Sequence, residues 1–333
     1  MAKTGNKEAD AKPTLVIATP FMIFVTKLIG ILTSSSIISV IPQYPVCGLF
    51  FHLFSNLYND YFDVTHGTDE ANTEYFNAGM DSTILQGAQL SGGSRAVELG
   101  LITLKGTKSL ANVMFVLGLL TAAGILYTSY VNTGSTFNAY YAAIIALIGV
   151  LVGYFYTAKP VRLSSRYGLG ELSIFLSFGP LLTLGTGFAI ANETIQLFSN
   201  EFYNLILLGI PIGLLTTNIL FINQYPDYAS DKKVGKNHLV VLLGKKSSRW
   251  IYALNLAIAV GSLYYIAENI LNQTQASLFL YFLMPVTMFY SYYLISGLFK
   301  HYNSRSLIKY NIQTIYFHML FSSIYMIILA NFQ

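Results

Sequence analysis

The chain has 333 residues, 54% of them hydrophobic and only 10% Asp, Glu, Lys or Arg. A soluble domain carries roughly 25% charged residues, so this composition excludes an ordinary soluble globule, and its apolar excess excludes disorder. The balance of 19 basic and 15 acidic side chains gives a net charge of +4, too slight to mark a nucleic-acid partner, and the single Cys47 permits neither an intrachain disulfide nor a thiolate metal cluster.

An all-α polytopic membrane protein is the class expected. A helix crosses the hydrocarbon core in about 20 residues, and nine stretches qualify: 13–38, 42–60, 107–129, 138–157, 170–190, 203–225, 249–268, 275–298 and 310–331. The first follows Lys3, Lys7 and Lys12 but lacks a compact apolar region with a small-residue cleavage site, so it reads as a retained helix. Lys27, inside that stretch, has to snorkel, face a cavity or shorten the helix.

Basic residues alternate between the connections. Arg95, Lys105 and Lys108 border the one after span two, Lys159, Arg162 and Arg166 follow span four, Lys232, Lys233, Lys236, Lys245, Lys246 and Arg249 follow span six, and Lys300, Arg305 and Lys309 follow span eight. The loops around IPQYP, VNTGSTFN, ANETIQLFSNEF and ENILNQTQA carry no Lys or Arg. The bias predicts one membrane domain over 1–333, an inside N-terminus and an outside C-terminus, in an inner (plasma) membrane crossed many times. Two inside connections, 61–106 and 226–248, are long and polar. Structureless loops of that length are uncommon unless they perform a task.

The stretch NLYNDYFD, at 56–63, precedes the first of these connections. At about 100° per residue, Asn56, Asn59, Asp60 and Asp63 share one helical face, while Leu57, Tyr58, Tyr61 and Phe62 take the other. In INQYPDYASDKKVGK, Asn223, Asp227 and Asp231 recur every fourth residue, with Pro226 expected to kink the helix or start a new one. Unpaired carboxylates in low dielectric are costly, and two facing clusters would repel as bare anions. Mg2+ shared with the oxygens of a phosphate or diphosphate relieves that repulsion, and carboxamides add oxygens without charge. Arg95, the trio Lys159, Arg162 and Arg166, and the group Lys232, Lys233 and Lys236 lie on the same expected side and suit diphosphate oxygens. Three readings stand together at this point: helix end caps with lipid-facing lysines, an ion-coupled membrane transporter, and a metal-diphosphate site. His52, His66 and His238 have no spacing that specifies zinc.

Taken together, SNLYNDYFD with Gly67 and Asp69, SGGSRAVELGLIT, YTAKPVRLSSRYGLGELSIFLSFGP and NQYPDYASDKKVGKNHLVVLLG resemble the UbiA superfamily of intramembrane prenyltransferases. Within it they look like the 1,4-dihydroxy-2-naphthoate branch. The resemblance implies a nine-helix bundle in which Mg2+-dependent transfer moves a polyprenyl group from polyprenyl diphosphate to an aromatic acceptor, as in menaquinone or phylloquinone-type biosynthesis. Another quinone, chlorophyll or lipid precursor is the alternative acceptor. It implies Asn56, Asp60, Asp63, Asn223, Asp227 and Asp231 as metal ligands, with the four aspartates central to catalysis. Asn59, Arg95, Tyr156, Lys159, Arg162 and Lys236 join Asn56 and Asn223 in substrate binding. Gly168, Gly170 and Glu171 are expected to shape the next helix start. The second motif departs from more acidic family versions by having Asn223 in place of Asp, which shifts metal binding toward Asp227 and Asp231.

Overall fold

A computed structural model describes residues 43–65, 97, 100–134, 136–191 and 193–330. Its helices are α1 (Gln43–Thr65), α2 (Leu104–Thr133), α3 (Thr136–Phe155), α4 (Leu169–Phe178), α5 (Pro180–Ile190), α6 (Asn200–Lys233), α7 (Leu239–Asn269), α8 (Gln273–Leu278), α9 (Met284–His301) and α10 (Leu307–Ala330). A 3-10 turn at Leu163–Ser165 precedes α4, and a π-helical turn at Phe279–Leu283 joins α8 to α9.

Local chemistry sets several boundaries. Thr103 caps α2 by accepting the Gly106 N–H, and Gly134 ends it in the left-handed conformation at φ 60°. Ser199 caps α6 through the Phe202 N–H, and Asn272 with Gln275 forms a reciprocal capping box at α8. Gly244, at φ 75° and ψ 154°, breaks α7 one turn after its start.

Among the described residues, seven helical spans are long and apolar enough to cross a membrane: α2, α3, α4 with α5, α6, α7, α8 through α9, and α10. The 23-residue α1, expected as span two, is helical but stands outside that apolar set. The expected span at 13–38, with Lys27, lies outside the described residues.

Burial distinguishes inner from outer helices. The most apolar window of α6 is 72% buried, against 17% for α2 and 11% for α3, so α6 forms the centre while α2 and α3 offer wide apolar surfaces to lipid. Around α6 pack α4, α5, α7 and α10. Their shared core includes Phe188, Ile212, Phe221, Tyr252, Leu263 and Phe321, all at most 1% exposed.

The approach of α6 to the α4–α5 junction depends on glycine. A Cβ at Gly209 would stand 2.6 Å from the Gly179 carbonyl carbon, and one at Gly213 would stand 2.5 Å from the Phe175 carbonyl oxygen. Backbone atoms cannot swing aside as a side chain does. Gly213→Ala is therefore expected to cost about 1–3 kcal/mol by overpacking, measured as a lower unfolding midpoint in detergent. An unchanged midpoint would contradict so close a packing.

Candidate functional site

The second half of α1 has two distinct faces. On one, Phe54 and Tyr58 are buried with Ala111 of α2, the Tyr58 ring stacks on Phe62 at 5.6 Å, and the Tyr58 hydroxyl donates to Asn112 Oδ1 at 2.7 Å. This aromatic packing fixes the rotation of the helix about its axis. The polar residues consequently share the other face. Asn59 Oδ1 accepts from Thr157 Oγ1 at 2.8 Å, just beyond α3, and Asn56 Nδ2 donates to His52 Nε2 at 2.9 Å.

The other acidic pair lies on the last turns of α6. The helix runs through Pro211 and Pro226 to Lys233 as one element, so no new helix starts at Pro226. Asp227 and Asp231 thus lie about one turn apart on one element. Residues 226–233, expected as the start of a polar connection, are helical, and only 234–238 separate α6 from α7.

Lys236, in that short connection, joins the two motifs. Its Nζ lies 3.5 Å from Asp63 Oδ1 on α1 and 3.7 Å from Asp231 Oδ1 on α6. The three side chains are only 17%, 23% and 10% exposed, respectively. Burial by itself pulls the Lys236 pKa down, but the charges of Asp63, Asp231 and Asp227 outweigh it, so the ammonium stands above the ordinary lysine value despite opposition from Arg162. Lys236 is therefore a fixed positive charge across the physiological range.

A backbone clasp holds this connection against the one before α4. Arg166 and Asn237 form a parallel bridge, with Tyr167 N–H donating to Asn237 O at 2.9 Å and Asn237 N–H to Ser165 O at 3.2 Å. Arg162 adopts the left-handed conformation at φ 48° just ahead of the 3-10 turn. Its field is felt at Lys236, so both cations belong to one neighbourhood. Arg166 is committed to the loop itself, donating to the Val161 and Pro160 carbonyls. Glu171, in the first turn of α4 as expected of a helix-start residue, is 4% exposed. Its Oε1 accepts from Gln224 Nε2 at 3.1 Å and from the Leu239 N–H at 3.0 Å, tying α4 to α6 and to the start of α7.

A cavity of about 340 Å³ opens beside this charged group, enclosed by α1 to α5. Asn56, Asn59 and Tyr156 line it at the charged end, and Phe51, Ile125, Ile145 and Phe178 are among its apolar walls. Burial first, then the negative charges of Glu171, Asp63 and Asp231, pushes the Tyr156 pKa up, so its hydroxyl stays a neutral phenol. The residues expected at the site thus divide. Asp63, Asp227, Asp231, Arg162, Lys236 and Tyr156 share one electrostatic neighbourhood. Asp60, half-buried, precedes Asp63 by about one turn of α1. Asn223 is engaged elsewhere, its Oδ1 accepting from Asn311 Nδ2 on α10 at 3.0 Å, and Lys159 is exposed. Arg95, His66, Gly67 and Asp69 lie outside the described residues.

Two histidines gain a place that spacing alone did not give them. His52 lines the cavity beside Asn56, and His238 Nε2 lies 3.0 Å from Asp231 Oδ2. The only sequence signal for the second was a histidine shortly after Asp231, before an apolar helix.

Among the described residues, no three His, Cys, Asp or Glu side chains converge as a metal cage would require. Mg2+ does not demand one, because substrate phosphates and water complete its oxygen shell around one or two carboxylates. The donor set fits such sharing. Oxygens from Asp63 and Asp231 face one positive centre, and buried Asp63 Oδ1 makes no hydrogen bond.

Comparison with known proteins adds a family, two relatives and a solved structure. The family model described as "UbiA prenyltransferase family" matches residues 23–319. The 1,4-dihydroxy-2-naphthoate octaprenyltransferase of Bacillus subtilis is 27% identical over 211 residues, 63% of this chain and 57% of the relative. The enzyme of that name from Escherichia coli is 28% identical over 63% of this chain and 58% of its own length. The chain thus spans somewhat over half the length of these curated relatives. The structure of a UbiA homolog from Archaeoglobus fulgidus bound to GPP and Mg2+ superposes with a TM-score of 0.58 at 15% identity, covering 96% of this chain and 98% of that one. That likeness extends through the helical bundle.

Proposed function

The chain belongs to the UbiA prenyltransferase family, and we propose that it transfers a polyprenyl group from polyprenyl diphosphate to an aromatic acceptor of the 1,4-dihydroxy-2-naphthoate type. The observation that carries this reading is the meeting of Asp63 and Asp231 at Lys236, beside the end of an apolar cavity. The names of the B. subtilis and E. coli relatives support the acceptor, and the archaeal homolog bound to GPP and Mg2+ supports the donor class and the ion.

On this reading Asp60, Asp63, Asp227 and Asp231 hold Mg2+ against the diphosphate. The chemistry that Mg2+ supplies when bound is neutralisation of charge on the leaving diphosphate. Lys236 and Arg162 bind the same oxygens as fixed cations. The allylic C–O bond breaks with its electron pair leaving on the diphosphate, and an electron-rich ring carbon forms the new C–C bond before losing a proton or a carboxyl group. Tyr156, kept as a neutral phenol, borders the allylic carbon without competing as an anion, and its ring face favours developing positive charge. Asn56 and Asn59, hydrogen-bonded to His52 and Thr157, frame the entrance. Asn223 acts through its bond to Asn311 by bracing α6, the exposed Lys159 offers a further cation, and Arg95 is assigned to diphosphate binding on its sequence motif alone. The charge alternation supports a nine-helix arrangement with N-terminus inside and C-terminus outside, in an inner (plasma) membrane.

Purified protein incubated with 1,4-dihydroxy-2-naphthoate, geranylgeranyl or longer diphosphates and Mg2+ should yield prenylated product by mass spectrometry, and none with chelator. A panel containing 4-hydroxybenzoate and homogentisate decides among acceptors. Absence of product from every acceptor would reject the reading.

The cavity makes donor length testable. Gly149 lines it and has open space where a Cβ would stand, so Gly149→Leu fills volume without a backbone clash. The ratio of kcat/KM for long over short diphosphates is expected to fall about tenfold or more, the scale of lost apolar accommodation in a pocket. An unchanged ratio would remove the donor chain from this cavity.

A further inference from the structure

His238 immediately precedes α7 and is 2% exposed. Its Nδ1 accepts the Val241 N–H at 3.4 Å, which places the ring proton on Nε2. That nitrogen donates to Asp231 Oδ2 at 3.0 Å. The other oxygen, Oδ1, is left toward Lys236, where Asp63 also directs an oxygen. The residues on either side of His238 are held as well, Asn237 by the Ser165 carbonyl and Leu239 by Glu171 Oε1. Buried, bonded at both nitrogens and fixed in its backbone, the ring cannot turn without breaking a contact.

We propose that His238 is a positioning residue that orients the Asp231 carboxylate toward the bound ion and diphosphate. The inference rests on the assignment of Asp231 to that site. A ring acting only as a helix cap would use Nδ1 alone, and nothing in capping calls for the second bond. Outer groups that orient a metal-binding side chain are typically worth tenfold to a hundredfold in affinity.

Two substitutions separate capping from orientation. His238→Asn retains a good cap but is too short to reach Asp231, whereas His238→Gln retains a donor of nearly the right reach and is the poorer cap. Full-length protein would be titrated with Mn2+ in the presence of inorganic pyrophosphate, with bound ion read by electron paramagnetic resonance and unfolding midpoints measured on the same samples. His238→Asn is expected to weaken Mn2+ binding about tenfold at an unchanged midpoint, and His238→Gln to recover most of that affinity at a lower midpoint. Wild-type affinity in His238→Asn, alongside weakened binding in Asp231→Asn, overturns this inference alone. Wild-type affinity in Asp231→Asn overturns the metal assignment and the inference with it. Affinity that falls only in step with the midpoint reduces His238 to a cap.

Discussion

Asp63→Asn and Asp231→Asn each lower kcat for prenyl transfer by about a thousandfold, the scale of losing a group aimed at charge that develops in the transition state. The substitution keeps the volume and removes one negative charge, so the loss is electrostatic. Because both carboxylates face Lys236, the two changes act on one substrate, and the double variant is expected to fall far short of the product of the single effects. The same dependence should link Asp60→Ala to Asp227→Ala. Steady-state product formation in nanodiscs at saturating Mg2+ provides the measurement. Turnover within threefold of wild type in Asp60→Ala with Asp227→Ala would end the two-cluster mechanism, and strict multiplicativity would place the clusters in separate sites.

Lys236→Met has a dual effect. It removes a cation assigned to diphosphate binding, for which a loss of about a hundredfold in kcat/KM is expected, and it leaves Asp63 and Asp231 facing each other uncompensated. Breaking a buried pair costs about 3–5 kcal/mol, and the partial exposure of these side chains brings the expectation to about 1–3 kcal/mol. Added Mg2+ should raise the unfolding midpoint of the variant more than that of the wild type, since the ion then supplies the missing positive charge. Equal Mg2+ shifts in the two proteins would refute this substitution of one cation for another. The sign of the pH effect follows from the raised pKa. The contribution of Lys236 is fully present below its unfolded value of 10.5 and is lost only as pH rises through the higher folded value. Between about pH 6 and 9, no loss of stability is expected from this group.

Much of the molecule was legible in the sequence because it follows from local periodicity. The aromatic and polar faces of α1 are those that about 100° per residue assigns to NLYNDYFD, and the packing of Tyr58 with Phe62 agrees. Of the two arrangements expected at Pro226, the fresh helix start is absent: α6 continues to Lys233 and is held by packing along most of its length. The connection after it is correspondingly short, which lets Lys236 reach back to Asp231.

Roles of the carboxamides were open in the sequence, where an asparagine beside an aspartate reads equally as ligand, donor or cap. Distant partners separate two of them, Thr157 for Asn59 and Asn311 for Asn223, while Asn56 pairs with His52 one turn earlier on α1. His238 shows the same limit, since its distance to Asp231 depends on the turn between α6 and α7.

The sequence by itself determined a membrane-embedded helical protein with two acidic faces, because composition sets the solvent of a chain and helical pitch sets which near neighbours share a side. Only the tertiary structure decided that those faces meet at Lys236, that a cavity begins beside them, and that His238 holds one carboxylate oxygen while the other faces the shared charge. The first two depend on the packing of helices far apart in the chain and the third on the turn between α6 and α7, and no helical period records either.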